Sequence, residues 1–254
     1  MFKETTITDT FILCLAAFLI GVSKAGFGGG FGMIVTPMLA SIMPAKTVVG
    51  FMLPLLFATD VFSLFHYWKR WNTPNVARLI PGTLLGIAIG SYILNDISDV
   101  HLKKVIGGIA CVFAVLEWYR SRLVEKRGDA IIKNVHFKRW HGVIAGVLTG
   151  IFSTLAHIGG LVVTMYLLPQ RLSNQAFVGT ATAIYFIINL VKFPFYIRLG
   201  LFSFDGWVQN AALLPFIALG VITGISMNQR FPRRIFSRII LFFVFATGIK
   251  LLFW

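Results

Sequence analysis

Residues 24–36 read KAGFGGGFGMIVT, a lysine followed by five glycines within the seven residues 26–32. The chain from Thr10 to Ala40 is otherwise almost entirely apolar. Glycine is a poor helix residue, so this stretch predicts an apolar helix that is interrupted in its middle. Non-helical backbone is tolerated at membrane depth only where protein buries it or where it lines a polar cavity. The stretch therefore predicts a broken membrane helix with a buried or polar interruption.

The composition of the whole chain is that of an integral membrane protein. Of its 254 residues, 57% are hydrophobic and 13% are charged, and the mean hydropathy is +0.82. Apolar stretches of about 20 residues follow one another with short polar gaps, so we expect one transmembrane domain over residues 1–254. Lys3 and the run from Phe11 to Ile20 resemble a signal peptide, but no small-residue cleavage site follows, and we expect this segment to be retained.

The net charge of +14 does not indicate a nucleic-acid partner. The Lys and Arg residues lie mostly in a few loops between apolar spans, where they act as topology signals. The expected partners are a small anion and the lipid bilayer, and a second copy of the chain is a further candidate.

An internal repeat divides the chain. LIPGTLLGIAIGS at 79–91 aligns with LLPFIALGVITGI at 213–225, so that one proline and two glycines keep their spacing. We place repeat one at 1–120, a charged cytoplasmic linker at 121–139 and repeat two at 140–254.

Each repeat is predicted to contain one broken segment followed by three spans. The broken segments are 10–42 and 140–169, and the fold class is an all-α polytopic membrane protein. The predicted spans are about 46–66, 76–94 and 100–119 in repeat one and about 174–198, 207–228 and 233–253 in repeat two. The small-xxx-small pairs Gly86/Gly90 and Gly220/Gly224 predict close helix packing.

Loop charges predict that the two repeats are inverted. The basic loop at 120–140 lies on the cytoplasmic side by the positive-inside rule, and so does the loop with four arginines from Arg230 to Arg238. The equivalent of the second loop in repeat one, at 95–104, must then lie outside. Opposite sides for equivalent loops require inverted repeats, in which each broken segment enters the membrane and returns as a re-entrant hairpin.

Paired, glycine-interrupted segments in inverted repeats mark the substrate site of a transporter. The second interruption is STLAHIGG at 153–160. Short helices predicted to begin around Phe31 and Leu161 would direct positive dipole ends at the interruptions, and this favours an anion. The predicted substrate-binding residues are Lys24, Gly28, Gly29, Gly30, Ser153, Thr154, His157, Gly159, Gly160, Asn189 and Lys192.

Several of these residues have a second interpretation. Lys24 either contacts the anion or extends to the membrane interface. His157 is either a substrate ligand or a hydrogen-bonded packing residue. Asp60, which corresponds to Asn189, either carries a coupling proton or pairs with Lys69 or Arg70.

No metal, cofactor or enzymatic activity is predicted. Cys14 and Cys111 lie far apart in apolar runs, and His157 has no ligand partner near it in the sequence. Ser153 and His157 are spaced i, i+4, but no third group is evident to orient them as in a hydrolase. A secondary transporter is therefore favoured, with an anion channel as the alternative.

The stretch GVSKAGFGGGFGMIVTPMLA at 21–40, together with PGTLLGIAIG at 81–90, resembles the sulfite exporter TauE/SafE family, also called the toluene-sulfonate uptake permease family. The resemblance covers essentially the whole chain. It departs from the family pattern at His157, where a small residue is usual, and after Gly160, where no proline follows. The resemblance implies transport of small sulfur-containing oxyanions such as sulfite, sulfonates or sulfoacetate across the bacterial or archaeal plasma membrane.

Overall fold

The computed structural model describes residues 7–29, 34–127, 138–201, 210–230 and 244–253, and these contain helices and no strand. The repeat-one helices are α1 (Ile7–Phe27), α2 (Val35–Ala40), α3 (Ala45–His66), α4 (Thr73–Asp96) and α5 (Asp99–Arg127). The repeat-two helices are α6 (Arg139–Ala156), α7 (Gly160–Leu167, extended by a 3-10 turn at Leu168–Gln170), α8 (Asn174–Arg198), α9 (Leu214–Arg230) and α10 (Val244–Phe253).

Four of these helices, α1, α3, α4 and α8, are long and apolar enough to cross a bilayer. The prediction of an all-α polytopic membrane protein is thus confirmed. Three bounds differ from the predicted segments. Helix α5 continues to Arg127 rather than ending at 119, α9 begins at Leu214 rather than at 207, and residues 233–243 of the last predicted span lie outside the described residues. The predicted linker therefore begins as helix, because strong helix formers such as Leu, Glu and Lys continue past the end of the apolar run.

Helices α4 and α6 pack against each other through glycines. A Cβ built on Gly86 or on Gly146 would overlap the backbone of the other helix, so larger residues would separate the pair. The contacts run in the same order along both helices: Gly82, Gly86 and Gly90 of α4 lie against Val143, Val147 and Ile151 of α6, respectively. The two helices are therefore parallel and begin at the same end of the molecule.

Helices α1 and α9 form the equivalent pair. Gly220 lies against Phe18 and Gly21, and Gly224 lies against Val22 and Gly26, so these helices are also parallel. The predicted packing role of the small-xxx-small pairs is confirmed in both repeats. In each pair, the first helix of one repeat packs on the fourth helix of the other. The first helix of each repeat therefore packs on the other repeat rather than on its own.

Contacts at the two ends of α3 confirm the inversion. At its first residues, the backbone N–H groups of Ala45 and Lys46 donate to the carboxylate of Asp99, at the start of α5. At the other end, the Asn228 amide donates to the Tyr67 hydroxyl, 3.2 Å away. The loop before α5 and the end of α9, which are equivalent in the repeat, thus lie at opposite ends of α3. We call the end bearing Lys69 and Arg70 the inner end and the other the outer end.

Both broken segments are hairpins. Helix α1 is parallel to α9 and starts at the outer end, and α2 leads back to the outer start of α3. Helix α6 is parallel to α4 and starts at the inner end, and α7 leads back to the inner start of α8. The predicted hairpins are thus present, whereas their re-entry from one membrane side stays a prediction. The predicted start of α2 near Phe31 falls outside the described residues, and the described part of α2 begins at Val35.

Candidate functional site

The two helix interruptions have the same backbone geometry. After α1, Gly28 has φ +65°, and the N–H of Gly29 donates to the carbonyl of Ser23 at 3.0 Å. After α6, His157 has φ +54°, and the N–H of Ile158 donates to the carbonyl of Phe152 at 3.2 Å. In each case a left-handed residue is followed by a backbone N–H that donates to the carbonyl six residues earlier, and this bond closes the end of the helix. Histidine thus takes the left-handed position that a glycine takes in the first repeat, at an energetic cost to the backbone.

Tyr185 joins the two interruptions. Its hydroxyl lies 2.9 Å from the carbonyl oxygen of Gly28 and 3.3 Å from that of Gly160, and it donates to the former at the shorter distance. A Cβ on Gly29 would lie 2.8 Å from the Tyr185 ring. The tyrosine therefore fills the space that the glycines leave.

Lys24 and Asp60 form a buried ion pair beside the first interruption. Lys24 Nζ lies 2.5 Å from Asp60 Oδ1 and 3.3 Å from the Leu56 carbonyl oxygen. Asn189 Nδ2 donates to the second carboxylate oxygen at 2.6 Å. Lys24 is 7% exposed and Asp60 is fully buried. Lys24 thus does not extend to the membrane interface, and the alternative pairing of Asp60 with Lys69 or Arg70 is wrong.

Lys192 of α8 lies beside the second interruption. Its ammonium donates to the carbonyl and the hydroxyl of Ser153, both at 3.1 Å, and lies 3.0 Å from His157 Nδ1. His157 Nε2 lies 2.9 Å from the carbonyl oxygen of Val49. Because a carbonyl only accepts, Nε2 carries the proton and Nδ1 accepts from Lys192, which assigns a neutral imidazole. All three N–H groups of Lys192 are therefore used.

The buried charges do not balance. Among the described residues, the buried lysine, arginine, aspartate and glutamate side chains are Lys24, Lys192 and Asp60. With both lysines protonated and Asp60 ionised, these three groups would carry a net charge of +1. An uncompensated charge in a medium of low dielectric constant is costly, so this cluster favours the entry of an anion.

A small cavity of about 30 Å³ lies where the interruptions meet. Six predicted residues line it: Lys24, Gly29, Ser153, His157, Gly160 and Asn189. Three lining residues were not predicted: Ile20, Leu56 and Tyr185. The repeat offset that aligns Asp60 with Asn189 also aligns Leu56 with Tyr185, and this alignment is the sequence signal that could have identified both.

The other predicted residues lie near the cavity but do not line it. Thr154 donates to the Gly150 carbonyl of its own helix and lies beside Gly90 of α4, because this face of α6 is covered by α4. Gly159 packs tightly on α6, where a Cβ would meet the Thr149 carbonyl. Asp60, Lys192 and Gly28 contact the residues that line the cavity. Gly30 lies outside the described residues.

The contact between Asp60 and Asn189 places the site on the axis that relates the two repeats. These residues are equivalent in the two repeats, and a contact between equivalent residues lies on the axis that relates them. The described residues contain no cluster of three or more His, Cys, Asp or Glu side chains that would hold a metal.

Comparisons with known proteins agree with this architecture. The family model for the sulfite exporter TauE/SafE family matches residues 13–251. A protein of Methanocaldococcus jannaschii, described as a probable membrane transporter protein, is 28% identical over 169 residues, which are 63% of this chain. The match spans 61% of the length of that relative. No solved structure matches the chain significantly.

Proposed function

Because the chain belongs to the sulfite exporter TauE/SafE family, we propose that it is a secondary transporter of small sulfur-containing oxyanions. Its substrates would be of the sulfite, sulfonate or sulfoacetate type, and its membrane the plasma membrane of a bacterium or archaeon. The family and the relative's description are those of a membrane transporter rather than an enzyme. The substrate class and the binding mode below are our proposal.

The observation that supports it most directly is the net charge of +1 in the buried cluster. A monoanion such as hydrogensulfite or a sulfonate would neutralise Lys24, Lys192 and Asp60 taken together. The anion would bind beside Lys24, whose ammonium uses two of its three N–H groups on protein acceptors.

Three donors remain for the oxygens of the anion. They are the third N–H of Lys24, the second amide N–H of Asn189 and the hydroxyl of Ser153. The Ser153 hydroxyl accepts a hydrogen bond from Lys192 and has no acceptor of its own among the described residues. All three residues line the same cavity. Charge-assisted hydrogen bonds of this kind are short and strong. Three donors suit the three oxygens of a sulfite or sulfonate group.

The cavity of about 30 Å³ is small, with room for about two water molecules. The hairpins must therefore separate to admit a sulfur oxyanion. Motion of one hairpin against the other around a fixed site is the alternating-access mechanism that inverted repeats permit. The hydrogen bonds of Tyr185 to both interruptions would have to break and reform in each cycle.

Asp60 is the group that would couple transport to protons. It faces Lys24 of α1 and is near Lys192 and Tyr185 of α8. A proton on Asp60 would raise the charge of the cluster from +1 to +2 and so strengthen anion binding. Proton and anion would then move in the same direction.

Labelled sulfite flux into proteoliposomes tests the proposal. We expect saturable uptake, exchange of external for internal sulfite, and no chemical change of the sulfite. A flux that rises linearly with concentration and shows no exchange would instead identify an anion channel. Asp60→Asn should abolish the dependence of the rate on a pH gradient, and an unchanged pH dependence would make Asp60 structural.

A further inference from the structure

A second cationic site lies away from the transport cavity, at the inner end of the α4–α6 pair. It is a groove of about 390 Å³ lined by Arg78, Arg139, Pro74, Ala77, Pro81 and Val143. The two arginines come from different helices, and these helices are parallel and start at the same membrane face. We propose that this groove binds the headgroup of an anionic phospholipid of the inner leaflet.

The arginines supply the charge that selects such a headgroup. Within the described residues, neither guanidinium has a hydrogen bond or an ion pair. Arg139 is exposed and Arg78 is half-buried. A guanidinium presents planar N–H donors that match phosphate oxygens two at a time. Two free guanidinium groups beside one groove therefore suit a phosphodiester.

The backbone supplies an acceptor in the same groove. Pro81 lies inside α4 and has no N–H, so the carbonyl of Ala77 has no donor four residues further on. Ala77 lines the groove, and its carbonyl would accept a hydrogen bond from a headgroup hydroxyl. A phosphatidylglycerol headgroup carries both the phosphate and the hydroxyls that these groups require.

The surface beyond the groove supports a lipid rather than a free phosphate. From the groove toward the membrane centre, α4 exposes Leu84 and Leu85, and α6 exposes Ile144 and Leu148. These side chains would contact acyl chains that descend from the headgroup. Trp140 is 54% exposed at the start of α6, and tryptophan is typical of the interface depth at which a headgroup lies.

Lipid titrations of the purified full chain test the inference. We would measure bound lipid by native mass spectrometry and stabilisation by thermal unfolding, with phosphatidylglycerol, phosphatidylcholine and soluble glycerol phosphate as separate probes. Each arginine near a membrane surface is worth about 1 kcal/mol toward anionic lipid, or about fivefold in affinity. The double variant Arg78→Gln/Arg139→Gln should therefore bind phosphatidylglycerol about 25-fold more weakly. Arg122→Gln is the matched control, because it removes one exposed basic charge from α5, outside the groove.

The outcomes separate the possibilities. Preference for phosphatidylglycerol over phosphatidylcholine, lost in the double variant and kept in Arg122→Gln, supports the site. Equal lipid affinity in the double variant and the control would overturn it. Binding of glycerol phosphate without preference for the anionic lipid would overturn it as well, in favour of a soluble phosphate. If the double variant does not fold, a fivefold loss in each single variant is the required result.

Discussion

The net charge of the buried cluster can be altered one unit at a time by changing Lys24 and Asp60. In Lys24→Met the ammonium is removed, and the carboxylate of Asp60 remains buried with only the Asn189 amide as a direct partner. The cluster then consists of one carboxylate and Lys192, and its net charge falls from +1 to zero.

Two separate losses are expected in Lys24→Met. Breaking a buried ion pair by removing one partner costs about 3 to 5 kcal/mol of folding stability. The anion also loses one charge-assisted hydrogen bond worth roughly 1.5 to 3 kcal/mol, so its affinity should fall about tenfold to a hundredfold. Thermal unfolding and calorimetric titration with sulfite measure these two effects independently.

The double variant Lys24→Met/Asp60→Asn separates two contributions to sulfite binding, the net charge of the cluster and the hydrogen bond from Lys24. It removes one charge of each sign, and Lys192 again leaves the cluster at +1. We expect folding stability to recover most of its loss, and sulfite affinity to recover in part, because the charge returns but the Lys24 donor does not.

If Lys24→Met bound sulfite as tightly as the parent does, the Lys24 ammonium would have no role in anion binding. If the double variant were no more stable than the single one, the buried carboxylate would not be the source of the instability. Asp60→Asn alone should bind sulfite more tightly than the parent, because its cluster carries +2.

Three further predictions concern the backbone and the topology. Gly29→Ala should abolish transport, whereas Gly200→Ala should cost about 1 kcal/mol of stability and leave transport intact. Both glycines have positive φ, but only Gly29 faces a tyrosine ring. An equal effect of the two variants on transport would show that the contact of position 29 with Tyr185 is not the cause. His157→Gly should be more stable than His157→Ala by about 1 kcal/mol in thermal unfolding, because only glycine adopts the left-handed backbone without strain, and equal stability would count against that strain. Cysteines at Lys103 and Arg233, in a chain without the native cysteines, should be labelled from opposite sides of the membrane, and labelling from the same side would disprove the inversion.

Loop charge and glycine content were sufficient to predict the architecture. The opposite sidedness of two equivalent loops required inverted repeats, and the glycine cluster after Lys24 located the first interruption. These features depend on the bilayer, which constrains where charge and irregular backbone can lie, and the sequence records that constraint directly.

The pairing inside the site could not be predicted in the same way. Lys24 and Asp60 lie on different helices, and their contact depends on how α1 packs against α3. The sequence placed Thr154 beside Ser153 as a donor, but helix packing turns its hydroxyl toward its own helix. Tyr185 is marked in the sequence only by its alignment with Leu56 across the repeat, and its role depends on the approach of two remote interruptions.

Because the first helix of each repeat packs on the fourth helix of the other repeat, the order of synthesis determines the order in which the helices can pack. The glycine face of α4 meets that of α6 soon after both emerge, but Gly21 of α1 must wait for Gly220, 199 residues later. At roughly 5 to 20 residues per second, this delay is about 10 to 40 s. Throughout that time α1, which carries Lys24, remains in the membrane without the helix that it packs against, α9. Helix α1 is synthesised before the other described helices and is thus among the last of them to reach its final packing.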